Sequence, residues 1–114
     1  MAKPEWQKRL EQVLGHKTIE INKVSPRTGN EYKTDAIQAL NVFSTGSFEQ
    51  TADGKFRYAV VDPQQGLEYD IKAPNQVEVK FGVVLSFKNV CGGSTPNGGG
   101  WYSADSVAIV QRNA

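Results

Sequence analysis

At 114 residues, 39% hydrophobic and 22% charged, the chain has the length of one domain that can form a core without a metal or disulfide staple, and its composition excludes a disordered polymer. Its 13 Lys and Arg against 12 Asp and Glu leave a net charge of +1, so an anionic partner must be met by local charge and not by a global field. The single cysteine, Cys91, closes no internal bridge, and no apolar run approaches the ~18 residues that span a bilayer; the expected setting is a soluble, cytoplasmic protein with no membrane contact.

In chain order, Pro4 suits a first helical turn, Trp6, Leu10, Val13 and Leu14 follow at helical spacing, and Gly15 comes next. The pattern predicts a short amphipathic helix over 1–15 with Trp6 as a packing anchor. His16 to Val24 alternates Ile19 and Ile21 against Thr18, Glu20 and Asn22, which suits a first strand. The turn-forming stretch Ser25 to Asn30 leads into a second strand over Glu31 to Phe43. The resulting hairpin carries Lys23, Arg27, Tyr32 and Lys33, reading either as a basic clamp for a polyanion or as an ordinary soluble turn. Ser44 to Gly54 reads as a loop or a tight turn at Asp53-Gly54.

Lys55 to Val61 is the expected third strand, with Phe56, Tyr58 and Val60 on one face and Lys55, Arg57 and Ala59 on the other. Interleaved basic and aromatic residues suit a surface on which bases stack while phosphates are neutralised. The same spacing arises if Phe56 and Tyr58 point into a core. Asp62 to Asn75 reads as a long connection in which Leu67, Tyr69 and Ile71 form a brief strand or a lid.

Gln76 to Cys91 has the strongest pattern: Val77, Val79, Phe81, Val83, Leu85 and Phe87 occupy every odd position. A strand of roughly 15 residues far exceeds the usual ~6 and must bend, and Gly82 permits the bend. Lys80 and Lys88 fall on its exposed face. Gly92 to Gly100 holds five glycines and a proline and reads as a flexible loop, with Trp101 and Tyr102 directly after it; Trp101 reads either as a ring on which bases stack or as a cap of the core. Ala104 to Gln111 closes the sheet, with Val107 and Ile109 pointing inward or, as the alternative, Ala108 and Val110.

These elements make a single mainly β domain over 1–114. The expected fold is a five-stranded, partly open, antiparallel OB-like barrel with a short N-terminal helix; an open sandwich or an SH3-like barrel is the alternative. Catalysis is not expected. The one histidine, His16, has no second histidine or cysteine partner for a metal site, and no phosphate-binding glycine loop leads into a helix. No cofactor is expected.

Taken in order, Leu14-Gly15, the Thr28-Gly29-Asn30 turn, Asn41-Val42-Phe43-Ser44, Val60-Val61-Asp62-Pro63, Tyr69 before Val77-Glu78-Val79-Lys80, and an aromatic before Ala104-Asp105 resemble the YdcP-like accessory proteins of Gram-positive conjugative elements. The Gly29 to Tyr32 turn is also similar to that of phage single-stranded DNA-binding proteins. These resemblances imply an OB-like protein that supports replication of a mobile element by binding single-stranded DNA or assisting a helicase.

Two functions follow as expectations. The first is a sequence-tolerant single-stranded DNA binder using Lys23, Arg27, Tyr32 and Lys33 on the hairpin, Lys55, Phe56, Arg57 and Tyr58 on the third strand, Lys80 and Lys88 on the long strand, and Trp101 with Tyr102. The second is a non-catalytic module that binds a helicase, relaxase or other replication protein, a reading favoured by the near-neutral charge. Edge strands leave pairing into a homodimer open.

Overall fold

A computed structural model describes residues 3–6, 9–25 and 28–110. Its elements run α1 (Leu10–Leu14), β1 (Ile19–Val24), β2 (Glu31–Gln50), β3 (Phe56–Asp62), β4 (Leu67–Ala73), β5 (Val84–Ser94), β6 (Gly100–Ser103) and β7 (Ser106–Ile109). The sheet order is β1-β2-β3-β4-β6-β5-β7, and β2 also pairs with β5. That extra pairing closes β2, β3, β4, β6 and β5 into a five-stranded barrel, with β1 added to β2 and β7 added to β5.

The barrel is OB-like in its order. Its first three strands form a meander, and the ring closes through one parallel pairing, β4 to β6 at Lys72 and Ser103. It is therefore closed where the sequence suggested a partly open ring, and not wholly antiparallel. Closure is possible because β2 is 20 residues long. Its Ile37 to Phe43 stretch pairs with β5, its Phe43 to Gln50 stretch pairs with β3, and a bulge between Ser44 and Phe48 turns the strand from one neighbour to the other. Gly46 sits in that bulge at φ 91°.

The core follows the alternation read from the sequence. Leu40, Val42, Tyr58, Val60, Ile71, Leu85, Phe87 and Val90 are buried, and Leu10, Val13 and Leu14 of α1 pack against them. Burying a side chain of this size stabilises by about 1.5–3 kcal/mol, so the five residues of α1 matter through these three side chains and not through helix length.

Several boundaries differ from expectation. The helix is five residues long and not fifteen; Gly15 ends it at φ 72°, donating its N–H to the Glu11 carbonyl. Trp6 lies outside the helix, and its N–H donates to the Gly98 carbonyl at 3.0 Å. The second strand continues to Gln50 through what read as a loop, and the Asp62 to Asn75 connection contains the full strand β4, paired along its length with β3.

The long strand over Gln76 to Cys91 starts only at Val84. Gly82 takes φ 82° and makes a turn, not a bend within a strand, with its N–H on the Ser44 carbonyl. Upstream, Val77 and Val79 are half-buried against the core while Phe81 is 87% exposed. The glycine-rich stretch is mostly ordered hairpin: Gly92 and Gly93 belong to β5, Gly100 to β6, and only 95–99 form the turn. At the end of the chain Val107 is buried, whereas Ile109 is 40% exposed.

Two polar ties hold the connections. The Tyr58 hydroxyl donates to the Asn75 carbonyl at 2.8 Å and accepts the Val77 N–H at 2.9 Å, clipping 75–77 to the barrel. Asn75 in turn mimics a strand neighbour for β7, donating from Nδ2 to the Val107 carbonyl and accepting the Val107 N–H on Oδ1. Elsewhere the buried carboxylate of Asp62 is paired with His16 and accepts the Gln64 N–H. No helix among the described residues is long and apolar enough to cross a membrane.

Candidate nucleic-acid interface

An open groove of about 900 Å³ lies on the outer face of the barrel. Lys55 and Arg57 reach it from β3 and the loop before it, Glu68, Asp70 and Lys72 from β4, and Trp101 and Ser103 from β6. Lys3 and the 95–99 turn form one rim. A smaller depression lined by Ser47, Glu49 and Ala59 shares Arg57 and Asp70 with the groove, so the outer face is hollowed across β6, β4, β3 and β2.

The register explains why these residues meet. Arg57 pairs with Lys72 and Glu49, and Lys72 pairs with Ser103, so these four lie in one line across the sheet. Two residues further along each strand, Ala59 pairs with Asp70, and Trp101 sits two residues before Ser103 on β6. A period of two keeps both lines on the same face.

Trp101 is the exposed aromatic of the groove, at 50%. Its cross-strand partner is Gly93, and a Cβ built there would come within 2.6 Å of the indole Nε1. The missing side chain is thus what lets the indole lie against β5. Gly92, Gly93 and Gly100, read as flexibility, serve close packing, whereas Gly98 takes positive φ in the turn.

The groove's charges are arranged in pairs. Lys72 Nζ lies 2.6 Å from Asp53 Oδ2, and Arg57 Nη1 lies 2.8 Å from Glu49 Oε1. Lys72, then the Thr51 hydroxyl, hold the Asp53 carboxyl well below the usual carboxylate range, so this anion competes with any phosphate for Lys72 at neutral pH. Lys3 and Lys55 make no ion pair among the described residues, and neither do Glu68 and Asp70. Tyr69 and Tyr102 line the groove from beneath, each 6% exposed, their rings 5.2 Å apart. Burial raises both phenols, Tyr102 to about 12, and Asp62 and then Tyr102 raise Tyr69 further. Both stay protonated at neutral pH as possible donors, and neither hydroxyl finds a partner among the described residues.

Of the residues singled out from the sequence, the structure brings Lys55, Arg57 and Trp101 together on this face. Tyr58 is fully buried with its hydroxyl occupied, Tyr102 faces inward, and Phe56 is half-buried against the core, so the aromatic side of β3 is its core side. Tyr58 and Tyr102 offer a base no free face. Lys23, Tyr32 and Lys33 stand on the β1–β2 extension and do not line the groove. Lys33 pairs with Glu20 at 3.6 Å, and Lys23 with Asp105 at 2.5 Å; burial pushes the Lys23 ammonium down, but the hydrogen bond to Asp105 together with the nearby Cys91, Asp105 and Tyr32 groups offsets it and the net direction is up. Tyr32 is 47% exposed. Arg27 lies outside the described residues. Lys80 sits in the connection before β5, and Lys88 on β5 opposite Ala39 and Ser106, both exposed and away from the groove.

Lys3, Lys72, Glu68 and Asp70 were not among the site residues singled out from the sequence. The signal for three of them was present: in Leu67-Glu68-Tyr69-Asp70-Ile71-Lys72 the polar residues alternate with apolar ones, which places them together on an outer face once the segment is a strand. Among the described residues no cluster of three or more His, Cys, Asp or Glu is placed to hold a metal. No family model, no curated protein and no solved structure matches the chain, and the functional reading rests on the barrel and its groove.

Proposed function

We propose that the protein binds single-stranded DNA in the groove over β3, β4 and β6, as an accessory of replication in a phage or conjugative element. The observation that carries the reading is the half-exposed Trp101 indole, seated on Gly93 inside a groove that also holds Lys3, Lys55, Arg57 and Lys72. OB barrels take oligonucleotides on the face of their second and third strands and on the loops between strands one and two and between strands four and five. Here those are β3, β4, the 51–55 loop and the 95–99 turn. An indole stacks any base at about 1–3 kcal/mol, and lysines and arginines track the phosphates.

The paired charges predict modest, weakly salt-dependent affinity. Lys3 and Lys55 can neutralise two phosphates directly, while Arg57 and Lys72 must first exchange their carboxylate partners. For single strands each neutralised phosphate contributes about −0.7 to the slope of log K against log salt. Titrating fluorescein-labelled oligo(dT) at several salt concentrations, read by anisotropy, should give a slope between about −1.4 and −2.8.

The balance of charge in the groove favours a second reading, a module that takes a mixed-charge peptide of a helicase or other replication protein. Absence of oligonucleotide binding at low salt would leave this second reading in place of the first.

A further inference from the structure

We infer that the outer edge of β1 is a self-association surface, on which a second copy of this chain pairs its own β1 antiparallel about a two-fold axis at Ile21. The inference stands apart from the DNA reading, since no groove residue lies on β1. β1 ends the sheet order and pairs only with β2 among the described residues. Over Glu31 to Ala36, β2 has no other partner either, and it joins β5 only from Ile37 onward. The arm 19–36 is therefore a two-stranded ribbon, and such ribbons are marginal until further strands join them.

The ladder shows which backbone groups of β1 are free. The Ser25 N–H donates to the Asn30 carbonyl, and the register continues with Lys23 opposite Tyr32, Ile21 opposite Thr34 and Ile19 opposite Ala36. Bonded and non-bonded pairs alternate along an antiparallel ladder, so Ile19, Ile21 and Lys23 turn their backbone groups to β2. Glu20, Asn22 and Val24 turn theirs outward. Natural edges guard such a row with proline, bulges or free lysines. β1 lacks these guards: its register runs without a shift, it holds no Gly or Pro, and its one lysine, Lys23, is held 2.5 Å from Asp105.

Charge selects the register. A two-fold axis at Lys23 sets two ammonium groups opposite each other, and one at Asn22 lines Asp35 and Glu20 up with Glu31 of the second copy, three acids in one row. With the axis at Ile21, Asp35 and Glu20 of one copy run into Asn22 and Lys33 of the other, and the same row repeats on the far side of the axis. Lys33 is exposed and only loosely tied to its own Glu20, at 3.6 Å, so it can reach across. On the opposite face Ile21 meets Ile21 of the second copy in a non-hydrogen-bonded pair, the closer kind. Ile19, 42% exposed, is covered by the Lys23 stem of the second copy. Glu20 and Asn22 form the bonded pairs on either side of the axis, about four hydrogen bonds in all.

The test measures mass by sedimentation equilibrium over a range of concentrations. The native chain should approach twice 12.5 kDa as its concentration rises towards millimolar. Asn22→Pro removes one outward N–H from each copy and spares the ladder with β2, a position where an edge strand tolerates proline. Its dimer should be at least roughly tenfold weaker, since about two hydrogen bonds are lost per dimer. An unchanged circular dichroism spectrum shows that this variant is folded. Ile21→Cys gives a second measurement. In this register the two Cα atoms at position 21 lie about 4.5 Å apart, within the ~4.4–6.8 Å that a disulfide spans. Glutathione disulfide, taking up the two electrons and two protons of the thiol pair to become two glutathiones, should leave covalent dimers of this variant. The native chain, whose one thiol at Cys91 is buried, should stay unlinked. A native protein that remains monomeric at every concentration overturns the inference. So does an Asn22→Pro chain that dimerises like the native one, or an Asn22→Cys chain that links more readily than Ile21→Cys.

Discussion

Trp101→Ala weakens oligo(dT) binding by roughly 5- to 150-fold, the range set by one base stack of about 1–3 kcal/mol. The loss falls on affinity and not on the fold, because half of the side chain is already in solvent and removing exposed apolar surface costs little. A melting temperature within a few degrees of the native value, measured with the affinity, separates this outcome from a Trp101 that caps the core. Gly93→Ala gives an independent check with the indole retained. A methyl group 2.6 Å from Nε1 cannot coexist with the present ring position, so the ring must move, and affinity should fall with it. If Trp101→Ala lowers the melting temperature sharply and leaves binding unchanged, the indole is a packing residue.

Tyr58→Phe has the opposite signature. The hydroxyl is buried, donates to the Asn75 carbonyl and accepts the Val77 N–H. Its removal leaves a carbonyl and an amide without their partner at a cost of about 1–3 kcal/mol. For a domain of this size each kcal/mol lowers the melting temperature by roughly 4 °C. The ring itself remains against Phe48 at 5.7 Å and Phe87 at 6.1 Å, so the barrel keeps its shape. Oligonucleotide affinity should be unchanged, and a variant that melts normally but binds weakly would place Tyr58 in the interface after all.

The contrast between these residues shows what the sequence can convey. Period-two alternation identified both faces of β3 correctly: Phe56, Tyr58 and Val60 share one, Arg57 and Ala59 the other. Alternation alone does not say which face is inside. A phenol serves a core as well as a ligand site when a carbonyl and an amide await its hydroxyl, and those belong to Asn75 and Val77, 17 and 19 residues away.

The barrel class was legible because Leu40, Val42, Leu85 and Phe87 keep strict alternation within their strands. The strand ends were less so. Gly82 read as a bend but makes a turn, since its backbone is held by Ser44 on a distant strand. The site was half legible for a related reason. Lys55, Arg57 and Trp101 announce themselves by type, but Lys72, Glu68 and Asp70 join them only through the closure of β4 onto β6, a parallel pairing across 31 residues of chain that no local pattern signals. The hairpin residues Lys23, Tyr32 and Lys33 have the composition of a nucleic-acid clamp, yet two of them are engaged with Asp105 and Glu20 on the protein's own surface.

The most direct test of the groove as the binding surface is a two-dimensional amide NMR titration of the native protein with oligo(dT) at low salt. Shifts should concentrate at Lys55 and Arg57, along 68–72, through the 95–99 turn and at Trp101 to Ser103, together with the indole N–H of Trp101, while 19–24 and 31–36 stay in place. Shifts confined to the β1–β2 extension, or none at all, would contradict the groove reading.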